Sequence, residues 1–395
     1  MRVERIMLRV PLLPGVCVCL LLLTALVSAV AQNPTLKTRS KEERDREYMA
    51  SRRITLNVQV TDEAGKPVTD LGARDFALFD NHQPRKLAAF HAIDGEALND
   101  ATEVVFVLDA VNSTTSELEA EKDGIFKYLA RSHGPLPYPT SFVLWFNGHL
   151  KATGPTTDRN TIGRAFVSIT KNVHSNACAP ADTEVVKVAK GGDTRAAGDG
   201  SVESDGANAA NCQQIHFKDS IAALDGIAEQ QVSLGGRTIL IWFGPGWPLA
   251  TVAEFQEMTQ KARKNYFDEI VTVLHDLRAS QVTLDVIAPR DPTHEDEKAS
   301  MVPPPPTAGA ASPESARPDS LALPVLARQT GGQVIASSSD VVADLGKFLD
   351  DADWYYALSF NSAPAQNGVE LRSLEVKVNR PALNVRTTIY YYTEP

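Results

Sequence analysis

Three apolar runs set the strongest constraint on this chain: Val104-Val105-Phe106-Val107-Leu108, Phe142-Val143-Leu144-Trp145-Phe146 and, after Thr238, Ile239-Leu240-Ile241-Trp242-Phe243. Each has strand length and no polar alternation, the pattern of a strand buried on both faces; Val282 to Ile287 reads as a further strand. Stretches of helical period separate them. Ser116–Arg131 places Leu118, Ile125, Phe126 and Leu129 toward a core, and Ser116 with Glu119 matches the spacing of a capping box. Asp158–Ile169, Phe217–Gln231, Val252–Ala279 (in one or two pieces), Leu321–Gln329 and Val341–Leu349 read the same way. A short strand, Val334-Ile335, follows Gly331-Gly332, and Gly148 turns the second run into a return strand. Strand and helix alternating about five times imply an α/β fold, a doubly wound, Rossmann-like parallel sheet with helices on both faces.

On either side of this unit the period is two. Ile54, Leu56, Val58 and Val60 alternate with polar residues, as do Phe76 and Leu78 in Asp75–Asp80. Trp354, Tyr356, Leu358 and Phe360, then Leu374, Val376 and Val378, then Val385–Tyr392 do so after it. Neither set buries much alone, so the strands of residues 53–100 and 353–395 are expected to pack together as a β-sandwich-like module around an α/β domain at 101–352. Two insertions, 171–214 (rich in Gly, Ala and Asp) and 290–318 (with Pro303 to Pro306), read as disordered or loosely ordered.

Residues 1–31 read as a signal peptide. Arg2, Arg5 and Arg9 precede an apolar run that ends in Ala29-Val30-Ala31 before Gln32. The run Val16–Val27 is shorter than the ~20 residues of a membrane span, and no later segment reaches spanning length. Cys17 and Cys19 do not sit in a lipoprotein cleavage pattern. Residues 32–52, dense in both signs of charge, read as a flexible leader. The expected product is exported, periplasmic or extracellular, with no membrane span after cleavage. Residues 1–31 carry three Arg and one Glu, so their removal takes the formal charge from −10 to −12. That balance argues against nucleic acid or an anionic membrane as partner. The two cysteines left, Cys178 and Cys212, flank one insertion, and an exported chain with two cysteines is expected to join them as a disulfide.

In a doubly wound sheet the ligand crevice lies beyond the carboxyl ends of the strands, where the strand order reverses. Here the turns after Leu108 and Phe243 should form it. The first, Asp109-Ala110-Val111-Asn112-Ser113, resembles the first metal-site motif, Asp-x-Ser-x-Ser, of von Willebrand factor type A (vWA) domains. Further segments resemble the VWFA-related branch of that superfamily, known mainly from Acidobacteria. They are Val60–Val68 with Leu71 and Asp75-Phe76, then Leu108–Asn112, Gly236–Phe243 with Gly246 and Pro248, Leu326–Gly332, and the tail from Trp354-Tyr355-Tyr356 to Tyr390. The resemblance covers most of residues 54–392. It implies a vWA fold and a role in protein interaction, and it supplies no substrate. It also implies a divalent cation held by a carboxylate, two serines, a threonine and a late aspartate. This chain keeps Asp109 and Ser113. Val111 stands at the middle serine position, and the late aspartate position falls at Gly244 or Pro245. The motif therefore reads as degenerate, with no cofactor expected; a Mg²⁺ site rearranged around Asp109 and Ser113 is the alternative, and the bland reading has Asp109 capping its turn and the following helix.

Other chemistry is weakly represented. There is no G-x-S-x-G elbow, and His294-Glu295-Asp296 lacks a second histidine. His174 and His216 near the two cysteines lack paired zinc spacing, and Gly235-Gly236-Arg237 precedes a strand rather than a helix. Asp350, Asp351 and Asp353 read as a solvated helix end, and Tyr390-Tyr391-Tyr392 as an ordinary strand. Trp242 and Phe243 read as core, whereas Trp247 is the better exposed candidate for a partner-facing rim. The sequence thus points to an exported, non-catalytic, adhesion- or scaffold-type module that contacts a protein through Asn112, Thr114, Thr115, Gly244, Gly246 and Trp247. The alternatives are a Mg²⁺-dependent binder and, in another class, an envelope enzyme on the same scaffold.

Overall fold

A computed structural model describes residues 52–94, 102–131, 134–146, 149–178, 201–234, 236–247, 252–289, 308–337, 340–366 and 368–393. The expected signal peptide and nearly all of the leader, His294-Glu295-Asp296 and the Pro303–Pro306 run lie outside them. Arg52–Pro395 form one compact unit.

The apolar runs become the strands of a six-stranded sheet. Its members are β5 (Thr102–Asp109), β6 (Thr140–Phe146), β7 (His149–Thr156), β8 (Arg237–Phe243), β9 (Val282–Ala288) and β10 (Val334–Ala336). The order is β10-β9-β8-β5-β6-β7, parallel except for β7, which returns antiparallel at the edge. Alternate residues of each buried strand serve opposite cores. Val105, Val107, Leu240, Trp242, Leu284 and Val286 pack in one apolar cluster, while Val104, Phe106, Leu108, Ile239, Ile241 and Phe243 pack in another. The first cluster is covered by helices α3 (Ser201–Leu234), α4 (Val252–Glu257), α5 (Gln260–Ala279) and α6 (Leu323–Gln329). The second is covered by α1 (Thr115–Ala130), α2 (Arg159–Thr170) and α7 (Val341–Asp353). A strand with helices on both faces is buried on both, which is why β5, β6 and β8 carry continuously apolar runs; β9 departs from the pattern, with Thr283 and Asp285 buried between its apolar residues.

The flanking strands form two four-stranded sheets. One has the order β13-β1-β11-β4, from β1 (Arg53–Thr61), β4 (Ala89–Asp94), β11 (Trp354–Asn361) and β13 (Asn384–Arg386). The other is β14-β12-β2-β3, from β2 (Phe76–Asp80), β3 (Gln83–Arg85), β12 (Glu370–Val378) and β14 (Tyr390–Thr393). Each mixes strands from the two ends of the chain: β1 pairs with β11 and β2 with β12. Ile54, Leu56 and Val58 share one apolar cluster with Phe76, Leu78, Leu374 and Val376. Tyr356 sits at its centre, fully buried, with Phe76 and Phe90 rings 5.1 and 5.7 Å away.

Several expectations need correction. Phe126 is 51% exposed. Leu118, Ile125 and Leu129 share the buried stripe of α1, and one residue past Ile125 turns the side chain about 100° away from it. The cap of α1 is Thr114 with Glu117 rather than Ser116 with Glu119: Thr114 N donates to Glu117 Oε2 at 2.7 Å, and Glu117 N donates to Thr114 Oγ1 at 3.4 Å. Helix α3 starts at Ser201, well before Phe217, so the end of the first insertion is helical. The end of the second is packed: Ala310 and Ala316 are buried, and Tyr392 OH donates to Ala310 O at 2.7 Å. Composition misjudged both because small residues fill helix faces and close contacts as readily as loops.

The two ends of the chain meet at Tyr356. Its hydroxyl donates to Val68 O at 2.7 Å and accepts from Leu71 N at 3.1 Å. Tyr356→Phe keeps the packing but strands both backbone groups. We expect a loss of about 1–3 kcal/mol in denaturant unfolding; an unchanged midpoint would contradict the role assigned to this hydroxyl.

Candidate functional site

Successive strands are added on one side of β5 (β6, β7) and then on the other (β8, β9, β10), so the switch point lies between the parallel strands β5 and β8, and the crevice opens where Asp109 ends β5 and Gly244 follows β8. Asp109 is fully buried there. Four donors face its carboxylate. Val111 N (3.2 Å) and Asn112 N (3.0 Å) donate to Oδ1; Asn112 Nδ2 (2.8 Å) and Trp242 Nε1 (3.2 Å) donate to Oδ2. Asn112 Nδ2 also donates to Ser220 Oγ on α3 at 3.0 Å. Burial still pushes the Asp109 pKa up to about 6, with the donors from Asn112, Trp242 and Val111 pulling the other way.

Ser113, the other expected ligand, is also buried, and its hydroxyl turns away to Glu121 on α1, 3.2 Å from Oε2 and 3.4 Å from Oε1. Desolvation, then the negative charge of Asp109, raises the Glu121 carboxyl well above the ordinary range. Glu121 escaped the sequence reading although a signal existed: it lies three residues after Leu118 and four before Ile125, on the apolar stripe of its helix. Ser220 is the same kind of signal, a hydroxyl between Phe217 and Ile221 on the buried face of α3.

A strap covers the turn. Ser175 Oγ donates to Ser113 O at 2.6 Å and Asn176 N donates to Ala110 O at 3.0 Å. Lys122 Nζ donates to Val173 O at 2.8 Å. The strap then reaches Cys178, which is joined to Cys212 on α3. Residues 171–178 are therefore ordered, contrary to the expectation for the first insertion, because their backbone is tied to the turn.

The expected partner rim is largely sealed. Asn112, Gly244, Gly246 and Trp247 are buried, while Thr114, Thr115, Ser116 and Pro245 are exposed. Trp247 is 5% exposed; its Nε1 donates to Leu321 O at 3.2 Å and its ring meets Phe217 edge-on at 5.9 Å. The hydrogen bond to Leu321 and the Phe217 ring hold the indole on the core side, and Gly246 before it, at φ +76°, lies so close to Leu323 that a Cβ would come within 2.7 Å. Trp242 and Phe243 are fully buried.

A divalent cation does not fit this arrangement. Both Asp109 oxygens point at N–H donors, Val111 offers no oxygen, and Ser113 is committed to Glu121. Gly244 has φ +140°, and a Cβ there would lie 2.8 Å from Asp109 Cβ and 3.0 Å from Ser113 Oγ, so no side-chain ligand enters from that side. Asn112 Oδ1 is the one oxygen of the turn's side chains buried without a hydrogen-bond partner among the described residues, too few for a cation that wants about six oxygen ligands.

No family model matches this chain, and no curated protein matches it. Among solved structures, it is similar to an aerotolerance-related membrane protein from Bacteroides fragilis carrying multiple mutations to serines. The identity is 12% and the TM-score 0.33, over 64% of this chain and 98% of that one. It is also similar to the human COPII-coat protein Sec24c, with 10% identity and a TM-score of 0.32, over 77% of this chain and 46% of that one. The six-stranded sheet with helices on both faces is itself compatible with a vWA-like, Rossmann-like α/β fold.

The two buried carboxyls respond differently to amide substitution. Glu121→Gln keeps a partner for Ser113 and removes a group whose folded-state pKa is raised. A raised carboxyl pKa means that the folded chain holds protons that the unfolded chain has released, so stability falls as pH rises from about 4 through the folded pKa. We expect Glu121→Gln to flatten that fall in thermal unfolding measured across pH. Asp109→Asn instead turns an NH₂ toward two donors in either orientation and should cost about 1–3 kcal/mol at neutral pH. A stabilising Asp109→Asn, or an unaltered pH profile in Glu121→Gln, would contradict these assignments.

Proposed function

We propose that this chain is an exported, non-catalytic, vWA-like interaction module that binds a protein partner at the carboxyl end of the central strands without a cation. The two four-stranded sheets are read as the faces of one small sandwich supporting it. The observation that carries the reading is the saturation of Asp109 by four protein donors at the switch point of the sheet. A turn locked this way is rigid scaffolding for the loop ends beside it. Those ends, Thr114, Thr115, Ser116 and Pro245, are what solvent reaches. The hydroxyl and carboxyl that meet in the crevice, Ser113 and Glu121, are both buried away from any substrate, which supports binding over catalysis.

A second face is favoured by one observation. Between α1 and α2 runs a groove of about 450 Å³, lined by Phe126, Leu129, Gly163 and Val167 and edged by Arg164 and Lys171. Phe126 and Val167 are 51% and 48% exposed. On a chain of net charge −10, an apolar groove with a cationic edge suits a partner segment that is apolar on one side and acidic on the other.

Photo-reactive residues placed singly at Thr115, Pro245 and Val167 separate these faces. We expect a partner adduct from Thr115 and Pro245 that survives a chelator. Adducts from Val167 alone would move the interface to the helical groove, and adducts that vanish on chelation would contradict the cation-free reading.

A further inference from the structure

His216 packs against both sulfurs of the disulfide. Its Nδ1 lies 3.3 Å from Cys178 Sγ and its Nε2 lies 3.7 Å from Cys212 Sγ. One ligand atom from each of the three residues falls within 4.8 Å of the others. The placement follows from the elements. Cys212 and His216 are four residues apart on α3 and so share one face, while Cys178 comes from the strap opposite. His216 is buried and the cysteines are half-buried, so the cluster is within reach of small solutes without being loose.

We infer that in the reduced chain Cys178, Cys212 and His216 form a three-ligand site for a soft or borderline cation, Zn²⁺ or Cu⁺, and that disulfide and metal are alternative closures of one clasp. Two thiolates and an imidazole are the donor set such ions select. Three protein ligands leave a fourth position for water or an outside ligand. Conversion from the disulfide needs two electrons, which a dithiol supplies. Its thiolate attacks one sulfur, the Cys178–Cys212 bond breaks, and the second thiol of the reductant resolves the mixed disulfide. The reductant leaves as its own disulfide, and Cys178 and Cys212 each take a proton. Cation binding then releases those two protons while neutral His216 contributes a ring-nitrogen lone pair. Either closure holds the strap whose Ser175 and Asn176 cover the Asp109 turn.

The test uses the full chain with its disulfide reduced by a phosphine, which leaves no competing dithiol, under exclusion of oxygen. Zn²⁺ and Co²⁺ are titrated in, with near-ultraviolet circular dichroism recorded alongside. We expect one equivalent of either ion to bind, thiolate-to-cobalt charge-transfer absorption to appear, and the oxidised chain to show neither. His216→Ala in the reduced state should bind at least about tenfold more weakly, the lower end for losing even a supporting group around a metal. Cys178→Ser with Cys212→Ser should bind none at this site. Should reduction cost tertiary signal, its return on adding Zn²⁺ supports the clasp. No uptake by the reduced chain, equal uptake by the oxidised chain, or unchanged affinity in a folded His216→Ala would overturn the inference.

Discussion

A carboxylate with no solvent contact must be satisfied by the protein around it, and at Asp109 that requirement ties four elements together. The donors come from the turn after β5 (Val111, Asn112) and from the neighbouring central strand β8 (Trp242). Asn112, held by the carboxylate, then reaches Ser220 on α3. Ala110 and Ser113, on either side of those two residues, offer carbonyls to the strap that leads to the disulfide. An unpaired charge in this position would cost several kcal/mol, so each donor is a condition for the turn rather than an ornament of it.

The same requirement excludes other occupants. Two N–H donors on each oxygen of Asp109 already take the place a cation would need, and Gly244 packs so close that no ligand-bearing side chain enters from β8. Glu121 completes the arrangement: desolvated and facing a second carboxyl, it favours its protonated form and gives Ser113 a partner. A position that resembles a metal motif in sequence is, in three dimensions, a hydrogen-bonded joint. Its exposed margin is Thr114 to Ser116 and Pro245.

The α/β architecture was legible because burial on two faces leaves continuous apolar runs, and the strand-helix order of such runs dictates crossovers. The terminal strands were legible through their period of two. What misled the reading was local. Trp247 follows a turn and looked exposed, yet tertiary packing against Phe217 and Leu321 draws it in. Phe126 fits an apolar stripe by composition but not by angle. The insertions looked structureless because Gly and Ala carry no pattern, although residues 201–214 extend α3 and Ala310 and Ala316 pack into the core. At the site, Asp109 and Ser113 were visible as a motif; Glu121 and Ser220 were visible only as polar residues on apolar helix faces, a signal whose meaning depends on which helices meet.

Calorimetric titration of the oxidised chain with Mg²⁺, Mn²⁺ and Ca²⁺, repeated on Asp109→Ala, tests whether the Asp109 turn is closed to cations. No saturable binding that depends on Asp109 is expected, because its oxygens are already occupied by protein donors. Stoichiometric uptake by the parent that disappears in the variant, with the variant still folded, would contradict that expectation and return the turn to the role of a cation site.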